Sequence, residues 1–146
     1  MEAFPDTGSI RKTADQLVEE ARAIIAPRLS PHQAYEAMEF GEATLVDIRP
    51  LEQLVRNGFI PGAVLVDANV FEYRCDPAQP DEYRDPAIIP GNYRQCLVVV
   101  CNEGYQSSLK AAALRAMGLE NATDLDGGMQ AWIASGLPVK PYSDHP

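Results

Sequence analysis

A chain of 146 residues is long enough for one domain with a sizeable core and too short for two comfortable ones. With 46% hydrophobic and 23% charged residues, its balance is that of an ordinary soluble globular protein. A formal net charge of −9 would neutralise neither nucleic-acid phosphates nor an anionic membrane surface, so neither is an expected partner. No apolar run reaches the ~20 residues of a spanning helix. The opening residues Met1 to Asp6 lack the basic and apolar regions of a secretion signal, so a cytoplasmic location is expected. Three cysteines, Cys75, Cys96 and Cys101, do not make a disulfide framework.

In chain order, residues 1 to 8 read as a frayed end. Residues 9 to 26 read as an amphipathic helix capped by Ser9 or Thr13. Leu17, Ala21, Ile24 and Ile25 form its apolar stripe, opposite Glu19, Glu20 and Arg22; Pro27 ends it. This helix is either a packing element or a partner contact. Ser30-Pro31 opens a second helix, with Ser at the cap and Pro at the first turn, which ends near Gly41. Thr44 to Ile48 reads as a short buried strand and Leu51 to Asn57 as a brief helix closed by Gly58. Ile60-Pro61-Gly62 then turns into a strand over 64–67. The span 69–92, with Pro77, Pro80, Pro86 and Pro90, reads as a long outer loop with short helical pieces. Arg74 and Arg84 belong to it and are candidates for a pocket mouth.

Leu97 to Val100 is an unbroken apolar, β-branched run, suited to a strand buried on both faces of a parallel sheet. From Ser107 the sequence is rich in Ala and Leu, and the helix this predicts stops at Gly118. Residues 122 to 125 read as a last strand and 129 to 134 as a helix that buries Trp132 in the core. Strands alternating with helical segments give an α/β fold with a parallel sheet and helices on both faces. Cys96 and Cys101 sit five residues apart on one strand, so they leave opposite faces; at roughly 16 Å apart they cannot pair. Cys96 is therefore expected to be structural. Cys75 would be a resolving thiol only if folding brought it close.

Cys101 ends the central strand, Gly104 follows three residues later, and a helix begins at once. The carboxyl edge of a parallel sheet is where such folds keep ligand sites. Loop N–H groups and the positive end of the next helix can favour a thiolate there without a basic side chain. The same donors could hold an anionic substrate. The residues alone also fit a small, inert hydrophobe at a strand end.

This stretch resembles the active-site loop of the rhodanese (sulfurtransferase) superfamily: Cys101, Asn102, Glu103, Gly104, Tyr105, Gln106 and Ser107, read as Cys, two variable residues, Gly, two more and a small residue. Three further segments resemble the family in the right order. They are Leu45-Val46-Asp47-Ile48-Arg49 with Glu52; Gly58-Phe59-Ile60-Pro61-Gly62-Ala63, with Phe59 where His is usual; and Asp126-Gly127-Gly128-Met129-Gln130-Ala131-Trp132 with Gly136-Leu137-Pro138. The resemblance implies one rhodanese-like domain over 30–142, with a central sheet of about five strands, an N-terminal extension over 1–29 and a short tail over 143–146. It implies sulfur transfer through a Cys101 persulfide, from a small-molecule or protein sulfur donor to a thiol or cyanide acceptor. No metal or other cofactor is implied. Asn102, Glu103, Gly104, Tyr105, Gln106 and Ser107 would bind substrate, with Arg49.

Several of these residues keep two readings. Arg49 would attract an anion or clamp the loop through Asp47 or Glu52, and Asp47 reads as a hydrogen-bonding strut. Tyr105 would wall a pocket or pack. The loop offers no cation, and Glu103 would repel a dianionic donor such as thiosulfate unless it points to solvent. A cysteine phosphatase would need Arg at position 107, where Ser107 stands. His32 and His145, the only histidines, stand one at a helix start and one in the tail, which does not suggest a metal site. The rival reading is a sulfur carrier or protein-binding module without turnover.

Overall fold

The computed structural model describes residues 11–146, so Ser9 and the frayed end lie outside the described residues. Helix α1 runs Ala14–Ile25. Thr13 caps it reciprocally: Thr13 Oγ1 accepts from the Gln16 N–H at 3.1 Å, and Gln16 Oε1 accepts from the Thr13 N–H at 2.8 Å. Val18, Ala21 and Ile25 are buried. Leu17 and Ile24, expected on the packed stripe, are 45% and 54% exposed. The packed positions are 18, 21, 22 and 25, an i, i+3, i+4, i+7 series, so half-buried Arg22 belongs to the packed stripe and not to the solvent face. Ala21 and Ile25 of the expected stripe are buried, but Val18 and Arg22 take the places expected of Leu17 and Ile24.

Helix α2, Pro31–Glu39, begins at Ser30 with a second capping box through Gln33. The following elements are β1 (Thr44–Asp47), α3 (Leu51–Asn57), β2 (Val64–Leu65), a 3-10 turn (Ala68–Val70), α4 (Phe71–Arg74), β3 (Leu97–Val100), α5 (Gln106–Ala116), β4 (Thr123–Asp124) and α6 (Gly128–Ala134). β1, α3, β2, β3, α5, β4 and α6 each begin within a residue of the expected start, although the outer strands β2 and β4 are shorter than expected. The 3-10 turn and α4 are helical pieces of the long loop, and α1 starts at Ala14, after Thr13, not at residue 9. No described helix is long and apolar enough to cross a membrane.

The described residues form a four-stranded parallel sheet in the order β2-β1-β3-β4, not the expected sheet of about five. Beside β4 the fifth position is filled by a single bridge, Leu29 to Leu125. Its two bonds run from Leu29 N–H to Asp124 O and from Asp126 N–H to Leu29 O, at 3.1 and 2.8 Å. Pro27 and Pro31, two residues to either side of Leu29, have no N–H to extend a ladder.

The strand side chains alternate between two cores. Val46, Ile48, Leu97 and Val99 pack with Ile25 of α1, Phe71 of α4 and Ala111 and Leu114 of α5. Leu45, Val98 and Val100 pack with Ala34 of α2 and Met129 and Trp132 of α6. Helices therefore cover both faces, and every residue of the central strand β3 is buried. Each of the buried Val, Leu, Ile, Phe and Met side chains among them contributes roughly 1.5–3 kcal/mol of gross stabilisation through burial. Cys101 continues the first face and Cys96 the second, as their spacing requires.

The long loop is anchored by Phe71, Cys75 and Ile88, all fully buried. Its arginines serve the loop itself: Arg74 donates to Tyr83 O at 3.1 Å, and Arg84 donates to Gln79 O at 2.6 Å and Ile88 O at 3.1 Å. At the other end of the chain, Phe59 and Lys140 exchange backbone bonds at 2.9 and 3.0 Å. His145 stands edge-on to Phe59 with centroids 5.0 Å apart, so the tail packs on the residue that departs from the family's usual His.

Candidate functional site

All four strands point the same way, so one sheet edge gathers the residues that follow β1, β3 and β4. Ile48 N–H donates to Val100 O at 2.9 Å, which sets Arg49 beside the start of the loop that follows Cys101. Cys101 itself is 8% exposed. Its Sγ accepts from two backbone N–H groups, Gly104 at 3.1 Å and Ser107 at 3.3 Å. The second belongs to the first turn of α5, so the loop curls around the sulfur and the helix begins against it. Gly104 has φ +92, and a Cβ there would lie 3.0 Å from Gly127 N and 3.2 Å from Arg28 Nη2. Only glycine fits that turn without strain.

The sulfur opens onto a cavity of about 470 Å³. Of the residues nominated from sequence, Asn102, Glu103, Tyr105, Gln106 and Arg49 line it. Gly104 and Ser107 lie behind the sulfur as its hydrogen-bond donors. Ile48, Pro50, Gln53 and Ala68 complete the wall, and nothing in their residue types marked them beforehand. Arg74, Arg84 and Glu52 are not among the lining residues.

Arg49 and Asp47 form a fully buried pair. Arg49 Nε and Nη2 bond the carboxylate at 3.0 and 2.8 Å, and Nη2 also donates to Gly58 O at 2.8 Å. Asp47 also accepts from the Arg49 N–H at 3.0 Å, the strut arrangement expected for it; Glu52 takes no part. Arg49 Nη1 is the one buried side-chain donor left unpartnered among the described residues. With Arg49 neutralised by Asp47, Glu103 is the remaining charged group on the cavity wall.

Beneath the loop lies a polar cluster that sequence reasoning missed. Asp124, fully buried at the end of β4, accepts from the hydroxyls of Ser107 and Ser108 at 2.7 and 2.8 Å and from Arg28 Nε at 2.7 Å. Burial alone would lower the Arg28 pKa, but the carboxylates of Asp124 and Asp126 reverse this and leave it raised. A single acidic residue between the apolar Ala122 and Leu125 was the one available signal for Asp124. Arg28 had none. Helix α6 grips the loop from the other side: Met129 N–H donates to Cys101 O at 2.8 Å and Gln130 N–H to Asn102 O at 3.1 Å.

The other thiols sit in different surroundings. Burial first, then the charges of Asp85 and Glu72, push the Cys75 thiol up to about 12. Burial also raises Cys96, against the opposing effect of Arg115. Both are held neutral at physiological pH, away from the cavity wall.

The family model for the Rhodanese-like domain matches residues 30–135. The thiosulfate sulfurtransferase GlpE of Glaesserella parasuis serovar 5 is 27% identical over 112 residues, covering 77% of this chain and 91% of that protein. An adenylyltransferase and sulfurtransferase, UBA4 of Lodderomyces elongisporus, is 32% identical over 93 residues; the match takes in 62% of this chain but 19% of that much longer protein. Among solved structures, a protein of unknown function from Rhodopseudomonas palustris, described as a possible tyrosine phosphatase, superposes with a TM-score of 0.77 at 27% identity. That superposition covers 94% of this chain and all of that one. The polysulfide-sulfur transferase of Wolinella succinogenes superposes with a TM-score of 0.67 at 24% identity, covering 88% and 87% of the two chains, a likeness of fold. With the family model spanning most of its length and the loop, sheet and flanking segments in the family's order, the chain belongs to the rhodanese-like domain family.

Proposed function

We propose that this chain is a sulfurtransferase in which Cys101 carries the transferred sulfur. The observation that supports this most is the Cys101 Sγ at the cavity floor, bonded by the N–H groups of Gly104 and Ser107. Those dipoles stabilise negative charge on sulfur, first on the thiolate and then on the outer sulfur of the persulfide. In the first half-reaction the thiolate attacks the donor's sulfane sulfur; the S–S bond to the donor breaks, and its electron pair leaves with sulfite or with an organic thiolate. In the second, cyanide or an acceptor thiolate attacks the outer sulfur, the persulfide bond breaks, and the Cys101 thiolate is restored. No net oxidant is consumed in either step. A phosphatase is disfavoured because Ser107 occupies the position where such a loop needs an arginine to grip phosphate.

The cavity is large for thiosulfate, and its wall includes the half-exposed ring of Tyr105 and the carboxylate of Glu103. An organic persulfide, small or protein-bound, therefore suits it better than a dianion. Cyanide-dependent thiocyanate formation tests the reading, with parent and Cys101→Ser compared on thiosulfate and on an organic persulfide. Activity falls to background in the variant if Cys101 is the carrier; turnover that survives the substitution refutes the mechanism. The carrier reading draws on Leu51 and Val70, exposed apolar residues one or two places along the chain from the lining residues Pro50 and Ala68. A Cys101 persulfide that forms but does not turn over with any small acceptor would favour it.

A further inference from the structure

Residues before Ser30 lie outside the matched family region, yet two of them reach the sulfur loop from behind. Helix α1 packs along α5, and Arg22 on its packed stripe extends to the loop. Arg22 Nη2 donates to Gly104 O at 2.8 Å, Arg22 Nε donates to Ser108 Oγ at 3.2 Å, and the guanidinium lies 5.4 Å from the centroid of the Tyr105 ring. From the segment after α1, Arg28 Nη2 donates to the same Gly104 carbonyl at 3.1 Å. Ser108 also lies 3.2 Å from that carbonyl, but its one hydroxyl hydrogen goes to the closer, charged Asp124. The two guanidiniums are thus the principal donors to Gly104 O.

Gly104 is held on both sides, its N–H on the Cys101 sulfur and its carbonyl on two cations. As a glycine with φ +92, it is also the residue of the loop freest to rotate. If its N–H turned away, the thiolate would lose one of its two donors. Charge-assisted bonds are about twice as strong as neutral ones, so two of them on one carbonyl are an effective restraint. The two arginines differ in what else they hold. Arg28 is paired with Asp124 and Asp126, whereas Arg22 makes no ion pair among the described residues. Its charge is directed to the loop carbonyl, the Ser108 hydroxyl and the Tyr105 ring, and neither arginine lines the cavity. The cation that the loop sequence lacks is therefore supplied from outside the family core.

We propose that Arg22 and Arg28 are positioning residues: the N-terminal segment is a clamp that keeps the Gly104 amide on the Cys101 sulfur and the Tyr105 ring at the cavity wall. This rests on Cys101 being the reactive sulfur and not on which donor it serves. The test is the pH dependence of Cys101 alkylation by iodoacetamide, followed by peptide mass spectrometry in the full chain, for parent, Arg22→Gln and Arg22→Lys. Loss of the clamp moves the midpoint upward by about one pH unit in Arg22→Gln and slows alkylation below the midpoint about tenfold, with part of the shift recovered in Arg22→Lys. An unchanged midpoint in Arg22→Gln at an undiminished melting temperature overturns the proposal. A lower melting temperature with the midpoint unmoved also overturns it, because that is what a purely structural arginine would give. If Arg22→Gln does not fold, Arg22→Lys, which keeps the stem and the charge, decides by the same midpoint. Alkylation needs no sulfur donor, so this result stands apart from any failure of the thiocyanate assay.

Discussion

At the scale of single residues, the site separates one sulfur from two others by hydrogen bonding and by access to a cavity. Cys101 has two N–H donors and a cavity; Cys75 has neither and is pushed up to about 12 by its burial and two nearby carboxylates. Because the unfolded Cys75 thiol ionises near its ordinary value and the folded one does not, its contribution to stability is complete below about pH 9 and is lost as pH rises toward about 12. Glu103 is the residue on which donor choice should turn. Arg49 is neutralised by Asp47, and Arg22 and Arg28 stand outside the cavity, so a doubly anionic donor meets an uncompensated carboxylate. Two unit charges at ~4 Å interact by about 1 kcal/mol when well solvated, so Glu103→Lys, which reverses a charge against a dianion, should raise kcat/KM for thiosulfate by at least about fivefold. The same substitution should help an organic persulfide, singly charged at its sulfur, less than it helps thiosulfate. A thiosulfate rate that stays level or falls would show that Glu103 does not face the donor.

At the scale of elements, the site depends on close backbone approach between the loop and the start of α6. A Cβ on Gly128 would lie 2.5 Å from Cys101 O and 2.7 Å from the Asn102 carbonyl. Gly128→Ala should therefore push the loop off α6 and break the Met129 N–H bond to Cys101 O. We expect a loss of about 1–3 kcal/mol in stability by denaturant titration, with Cys101 reactivity falling in parallel. Normal stability and reactivity would mean the loop does not need that approach. The strand–loop–helix unit was legible in the sequence because its determinants are local: four apolar residues, a cysteine, one glycine and a Pro-free helix. The amides that bind the sulfur come from that same stretch. What lay beyond reading came from residues distant in the chain. Arg22 is 82 positions from Gly104 and looked like part of a polar helix face; its true place on the packed stripe also explains why Leu17 and Ile24 are exposed. The residue pattern alone marks four strands, the number observed; the count of about five came from the family resemblance, and at Leu29 the flanking prolines hold the extra position to a single bridge.

At the scale of the molecule, a compact α/β core brings one strand end, one helix start and an added N-terminal helix to a single sulfur. The chain as a whole is acidic, with a net charge of −9, yet the loop around the sulfur is held by cations. Among the described residues, the cations that hydrogen-bond the loop carbonyl Gly104 O are Arg22 and Arg28, outside the matched family region. The measurement that bears most directly on the whole account is peptide mass spectrometry of the full chain after incubation with an organic persulfide, before and after cyanide. The account predicts one added sulfur atom on the Cys101 peptide, removed by cyanide, with Cys75 and Cys96 unmodified. Sulfur found on Cys75 or Cys96 instead, or none on Cys101 with any donor, would contradict it.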